Sequence, residues 1–249
     1  MIPILNHGEI EAMRTACRLS AQVLAEVAER VAPGMTTGEV DAFAAARMAE
    51  LGVKSAFYKY NGFPGFCCIS LNEEVVHGIP GGRIINEGDI VSLDLGVQAE
   101  GFNGDNAVTV RVGEVDPEVD RLCKVTEEAM WAGIDQARAG HHVGDIGHAV
   151  QKVAEAAGFG VVRDYCGHGV GRHLHEDPQI PNFGHPGRGA LLKAGMCLAI
   201  EPMITQGTYR VRVMPNEWTV VTRDRLPAAH FEKTVLVKAT GAPEVLTRV

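Results

Sequence analysis

Gly88-Asp89-Ile90-Val91-Ser92-Leu93-Asp94 has a diverged copy, Gly195-Met196-Cys197-Leu198-Ala199-Ile200-Glu201, at an offset of 107 residues. Each is a mostly apolar run that begins at a glycine and ends on an acid six positions later. A run of this length bounded by turn residues reads as a buried strand. Upstream, Gly34-Met35-Thr36-Thr37-Gly38-Glu39-Val40 returns as Gly140-His141-His142-Val143-Gly144-Asp145-Ile146 at an offset of 106. Each copy opens a helix, expected from Val40 to Leu51 and from Ile146 to Ala157, with an acid in the first turn and a glycine just past the end. Two further helices precede these. One runs from Glu9 to Val31, with Ile10, Met13, Ala16, Cys17, Val23, Leu24 and Val27 near helical period; the other runs from Glu118 to Ala137.

The order helix, helix, strands therefore occurs twice. It predicts an α+β fold of two similar α-α-β-β halves about a pseudo-twofold axis, approximately 1–115 and 116–249, within one domain spanning 1–249. Four helices would cover one face of a bent antiparallel sheet, leaving the other as a cleft, with Asp94 and Glu201 meeting near the axis. Turn signals at Glu87-Gly88-Asp89, Glu100-Gly101 and Asn103-Gly104 suit antiparallel connections.

Composition is that of an ordinary globular chain: 249 residues, 46% hydrophobic and 22% charged. A net charge of −8 argues against dedicated nucleic-acid binding. The N-terminus lacks the basic and apolar regions of a secretory signal, and no apolar stretch reaches the ~18 residues of a membrane span. Six cysteines without a CxxC pair read as reduced core thiols, which places the protein in the cytoplasm and excludes a zinc ribbon.

Four acids stand in or beside strand-like runs: Asp94, Asp105, Glu201 and Glu232. A lone acid in such a place more often caps a turn or pairs with a base. Four in buried strands would repel one another and lose hydration, and a bound divalent cation is the simplest compensation. Asp94 and Asp105 are eleven apart across a hairpin turn, which puts both carboxylates on one face. Cys166-Gly167-His168-Gly169-Val170-Gly171-Arg172-His173-Leu174-His175 adds His168 between two glycines as a candidate ligand, with His175 within reach of the same cleft. The three glycines there are expected to allow close backbone approach and unusual dihedrals. An oxygen-rich set with one imidazole suits Mn, Fe(II), Co or Zn, and two such ions would activate a water for hydrolysis near neutral pH.

Asn72-Glu73-Glu74-Val75-Val76-His77-Gly78-Ile79-Pro80, the His168 segment, Ile200-Glu201-Pro202-Met203 and Phe231-Glu232-Lys233-Thr234, with the Asp94/Asp105 pair, resemble the motifs of type I methionine aminopeptidases in their short bacterial form. The resemblance covers nearly the whole chain. It implies the pita-bread fold, in agreement with the repeat. It implies two divalent ions, with Asp94 on one, His168 and Glu201 on or toward the other, and Asp105 and Glu232 bridging. A bridging hydroxide would attack the scissile carbonyl, with Glu201 as general base and then acid. His77 and His175 would contact the substrate and stabilise the intermediate. Tyr60, Phe63, Cys68, His77, Leu174, His175 and Trp218 would bind the substrate, the apolar ones forming the methionine pocket. Phe63 and Leu174 stand where relatives often carry Tyr and Phe, and His230 where Gln is common. The implied activity is excision of the initiator methionine from nascent polypeptides whose second residue is small, by a monomer working in proximity to the ribosome.

Two other readings use the same residues. An Xaa-Pro aminopeptidase or prolidase shares the ligands but follows a substantial N-terminal domain, and Asp94 comes early for that. A non-catalytic binding protein on the same fold would have lost ligands, and all five are present. The type II enzymes carry a long insertion between the last two glutamates, whereas about thirty residues separate Glu201 from Glu232.

Overall fold

A computed structural model describes residues 2–248. Its helices form where the periodicity places them, and their caps explain their limits. Helix α1 (His7–Arg30) begins on Asn6, whose side chain accepts from the Glu9 N–H while the Glu9 carboxylate accepts from the Asn6 N–H at 2.9 Å. Helix α2 (Thr37–Glu50) repeats this box with Thr36 and Glu39. Helix α3 (Pro117–Asp135) starts with Asp116 as cap and Pro117 in the first turn, where a missing N–H costs nothing. At the start of α4 (Val143–Ala156) the Asp145 carboxylate accepts from the His142 N–H at 2.7 Å. The acids conserved between the two copies of the repeat, Glu39 and Asp145, are thus capping groups, stabilising each helix start by about 1 kcal/mol.

The repeat extends into the backbone. Gly34 N–H donates to Ile85 O at 2.8 Å, and Gly140 N–H donates to Leu192 O at 2.9 Å. Thr37 N–H donates to Arg83 O, and Val143 N–H to Ala190 O. Thr36 bridges Ile84 as His142 bridges Leu191. Each half therefore ties the entry of its second helix to the segment before its first long strand by the same bonds.

The main sheet has nine strands: β1 (Lys54–Ser55), β2 (Cys68–Leu71), β3 (Ile90–Ala99), β4 (Phe102–Arg111), β5 (Gly167–Gly169), β6 (Glu176–Ile180), β7 (Cys197–Ile200), β8 (Glu232–Leu236) and β9 (Glu244–Val245). The order is β1-β3-β4-β8-β7-β5-β6, with β2 beside β3 and β9 beside β8, and the pairings are antiparallel. The halves meet where β4 pairs β8. Two three-stranded sheets flank the rim, one of Gly160–Val161, Met203–Thr205 and Ala228–His230, the other of Glu74–Val76, Val211–Val213 and Val220–Thr222.

Along each long strand, alternate residues face opposite ways. Leu93 and Leu95 enter an apolar cluster with Val23, Leu24, Val40 and Met48 of α1 and α2. Leu198, Ile200 and Val235 enter a second one with Leu122, Met130, Ile146 and Val150 of α3 and α4. The helices thus lie on one face, and the intervening residues are left for the cleft.

One turn differs from expectation. Strands β3 and β4 pair from Ile90↔Arg111 to Ala99↔Phe102, so the hairpin closes at Glu100-Gly101, both left-handed (φ 51° and 79°). Asn103-Gly104 lies inside β4. Gly104 is there because α1 crosses the sheet at that point: a Cβ on it would sit 2.6 Å from the backbone of Ala16 and Cys17. Gly104→Ala is therefore expected to destabilise the fold by about 1–3 kcal/mol, the ordinary range for overpacking. Chemical unfolding of the variant beside wild type measures this, and an unchanged midpoint would show that α1 can shift freely.

Candidate metal centre

Strand parity brings five side chains to one place. Asp94 is opposite Ala107 and Asp105 is opposite Gly96 in the β3–β4 hairpin. Glu232 of β8 is also opposite Ala107. Opposed residues share a face, as do residues two apart, so all three acids point into the cleft. Ala107 leaves the space between Asp94 and Glu232 open. His168 of β5 is opposite Ala199 of β7, and Glu201 follows two residues after Ala199. The alternating pattern that sends Leu95 and Ile200 to the helices therefore sends Asp94 and Glu201 to the cleft.

The glycines around His168 act through space rather than dihedral freedom. A Cβ on Gly167 would lie 2.4 Å from Ala199 O, and one on Gly169 2.2 Å from Asp177 O. Neither glycine is left-handed. The expected close approach is present and the expected unusual dihedrals are not.

His168 Nε2 lies 3.4 Å from Glu201 Oε1 and 3.8 Å from Asp105 Oδ2. Ligand atoms of Asp105, His168 and Glu232 fall within 4.8 Å of one another. Asp105 and Glu232 are almost fully buried, at 3% and 2% exposure. Asp94 Oδ1, Asp105 Oδ1 and Glu232 Oε1 have no hydrogen-bond partner. Buried oxygens without partners are uncommon, and three aimed into one cleft fit a divalent cation. His168 fits too. Its Nδ1 lies 2.9 Å from Gly169 O, which can only accept. Nδ1 therefore carries the proton, and the Nε2 lone pair is free for a metal.

Burial dominates the electrostatics. It raises the pKa of Asp94 to about 7 and of Glu201 to about 8, Glu201 adding to the shift at Asp94. Asp105 and Glu232 are pushed well above the usual carboxylate range by burial first, and then by the charges of Asp94 and Glu201 at Asp105 and of Asp105 and Glu201 at Glu232. Burial also lowers His168 to about 3 and His77 to about 4, which keeps both imidazoles neutral.

The other predicted residues line the same cavity, about 190 Å³ in volume: Tyr60, Phe63, Cys68, His77, Leu174, His175 and Trp218. Phe63, Cys68 and Leu174 form one buried apolar cluster with Phe57, against which Tyr60 and Trp218 pack. Phe63 meets Trp218 edge-on at 5.2 Å. His77 is left-handed (φ 58°) and its ring stands edge-on to Tyr165 and Trp218. His175 lies 4.3 Å from the His168 ring, and its Nδ1 is 2.9 Å from the Tyr60 hydroxyl.

Phe57 and Asn61 also line the cavity and were not read from the sequence. They sit in a loop with no regular period, although an aromatic three residues before Tyr60 is a weak pointer. His230 lies at the edge of the set, fully buried with no partner for either ring nitrogen, Nε2 being 3.6 Å from Glu201 Oε2.

Residues 11–239 match the family model described as metallopeptidase family M24. The chain belongs to the M24 metallopeptidases. Within them it belongs with the methionine aminopeptidases. It is 46% identical over 99% of both chains to the methionine aminopeptidase of Clostridium acetobutylicum. It is 45% identical over the full length of both chains to methionine aminopeptidase 1 of Bacillus subtilis. The crystal structure of the Thermotoga maritima methionine aminopeptidase superposes with a TM-score of 0.97 at 46% identity, covering both chains completely. The prolidase of Pyrococcus furiosus shares the fold alone, with a TM-score of 0.79 at 24% identity over 65% of its length. As an M24 metallopeptidase the chain is a metal-dependent hydrolase with the pita-bread fold, and Asp105, His168 and Glu232 form a buried cluster that could hold a divalent metal. No helix among the described residues is long and apolar enough to cross a membrane.

Carboxyls whose folded pKa lies above the unfolded value stabilise the fold fully below the unfolded value, and that contribution is lost as pH rises from the unfolded value through the folded one. With Asp94 raised to about 7 and Glu201 to about 8, the metal-free protein should lose stability as pH rises from 5 to 8.5, most steeply below 7, where the native state still holds protons that the unfolded chain has released. Added divalent metal should remove most of that slope. Thermal melts with chelator and with metal test this; a metal-free Tm that rises across the interval would contradict it.

Proposed function

We propose that the chain removes N-terminal methionine from polypeptides whose second residue is small, using two divalent ions held by Asp94, Asp105, His168, Glu201 and Glu232. The observation that carries the reading is a buried apolar cluster directly against the acids: Phe63, Cys68 and Leu174 are at most 5% exposed and adjoin Asp94, Asp105 and Glu232 in one cavity. Asp105 and Glu232, central in the sheet, would be shared by both ions, with Asp94 on one and His168 and Glu201 toward the other. Mn, Fe(II), Co and Zn all suit this donor set. When bound, the ions supply Lewis acidity and lower the pKa of a water for attack on the peptide.

The residues then divide the work. The apolar cluster and Trp218 take the thioether side chain, a flexible group well matched to aromatic and sulfur surfaces. Glu201, whose affinity for protons is raised by burial, takes the proton of the attacking water and returns it to the leaving nitrogen. Neutral His77 and His175 donate hydrogen bonds to the carbonyl oxygen or leaving group as charge develops. The whole set comes from one chain, so a monomer suffices. Its substrates would be nascent polypeptides met near the ribosome in the cytoplasm.

Peptide specificity tests the substrate. Met-Ala and Met-Gly peptides should be cleaved, whereas Met-Leu, Met-Lys and Leu-Ala peptides should resist, as a small pocket beside a crowded second site requires. Comparable rates on Met-Ala and Met-Leu, or preference for Xaa-Pro peptides, would overturn the assignment.

Two variants separate metal holding from catalysis. Asp105→Ala or Glu232→Ala should abolish activity and lower bound metal, because a lost bridge leaves the other acids uncompensated. His175→Ala should keep wild-type metal content, lose on the order of 10²–10³ in kcat, as for one removed oxyanion donor, and change KM much less. Metal analysis and steady-state kinetics on the same samples decide. Loss of metal in proportion to activity in His175→Ala would make it a ligand instead.

A further inference from the structure

His168 and His175 stand side by side, rings 4.3 Å apart, yet their Nδ1 atoms face opposite chemistry. The Nδ1 of His168 lies 2.9 Å from Gly169 O, an obligate acceptor. The Nδ1 of His175 lies 2.9 Å from the Tyr60 hydroxyl. A neutral imidazole has one N–H, and a phenol, with a pKa of about 10, is a much stronger acid than that N–H. The phenol therefore donates, Nδ1 of His175 accepts, and the ring proton sits on Nε2. In His168 the same logic leaves Nε2 bare.

The segment that carries Tyr60 is built to hold it there. Lys59 (φ 66°), Asn61 (φ 49°) and Gly62 (φ 92°) are all left-handed. Lys59 N–H donates to Phe63 O at 2.8 Å, and Tyr60 N–H to Phe57 O at 2.8 Å. Left-handed backbone outside glycine costs about 1–2 kcal/mol per residue and persists only where surrounding contacts impose it. Tyr60 and His175 are 115 residues apart and come from opposite halves of the fold. Both residues line the cavity that contains the four acids.

We infer that Tyr60 is a positioning residue that fixes the tautomer of His175, so that of two adjacent imidazoles one presents a lone pair to metal and the other an N–H to substrate. The inference deepens the function proposed above and rests on it for the donor role of His175.

The direct test is nitrogen-15 NMR of the histidine rings in metal-free protein at pH 8, with His175→Ala to assign the resonance. Wild type should show His175 as a single tautomer protonated on Nε2. Tyr60→Phe, which keeps the ring, should show a mixture with a clear Nδ1–H population. In metal-loaded enzyme on a Met-Ala peptide, Tyr60→Phe should lower kcat about ten-fold, the worth of one ordinary hydrogen bond. Its metal content should match wild type and its KM should change much less. Placed on His175→Ala, Tyr60→Phe should cost nothing further. An Nδ1–H tautomer in wild type, a tautomer ratio unaffected by Tyr60→Phe, or the same ten-fold loss on the His175→Ala background would each overturn the inference. Unchanged turnover in His175→Ala would instead count against the donor role of His175, while the NMR result would still decide the tautomer question.

Discussion

Four carboxylates share one buried cleft with no lysine or arginine among its lining residues. Taking such groups out of water costs several kcal/mol each, and their mutual repulsion adds to it. Lys233, the nearest base to Glu232 in sequence, is itself held below its usual pKa by burial and does little to offset the charge. The protein thus leaves the compensation to protons or to metal, and the raised pKa values of Asp94, Asp105, Glu201 and Glu232 are the first of these alternatives made visible. The rest of the architecture supports that arrangement. Two apolar clusters beneath four helices supply the stability that an acid cluster cannot.

The internal repeat explains why the acids lie where they do. Each half contributes a strand beginning at a glycine, Gly88 or Gly195, and an acid at the equivalent place, Asp94 or Glu201. The halves join through the β4–β8 pairing, with Asp105 and Glu232 on the two strands at that seam. The residues proposed to be shared between ions are therefore those nearest the pseudo-twofold axis, and those proposed to serve one ion lie outside them. His168 breaks the symmetry. It comes from the short strand β5, which pairs β7 as β2 pairs β3, and would give the second half's side a nitrogen ligand with no counterpart among the proposed ligands of the first.

The strand-borne part of the site was legible because strand geometry has a period of two and the sequence obeys it. Asp94 beside Leu93 and Leu95, and Glu201 after Ile200, announce their faces by their neighbours. The helix boundaries shifted by only a few residues, since capping boxes such as Thr36 with Glu39 lie just outside the apolar period. The Gly104 position was misread because a glycine inside a strand and a glycine at a turn look alike until the partner is known. Here the partner is α1, remote in sequence and pressed against the strand. Phe57, Asn61 and the Tyr60–His175 contact were illegible for a related reason. They depend on a loop whose left-handed residues, Lys59 and Asn61, carry no reliable sequence signal.

That contrast reflects two requirements on one cavity. Metal ligands must hold position to within a few tenths of an ångström, so they sit on strands locked by ladder bonds and by packing from below. Side-chain recognition needs shape that can vary between relatives without disturbing the ligands, so it falls to loops on the rim. Backbone strain follows the same division. Left-handed non-glycine residues occur at Lys59, Asn61 and His77 around the pocket, whereas none of the five proposed ligands has positive φ. Phe63 lies just past the loop that carries Lys59 and Asn61, and Leu174 lies in the segment between β5 and β6, while the proposed ligands lie on or beside the β-ladder. Chemistry is thus fixed by the sheet, and the identity of the side chain it acts upon by the rim.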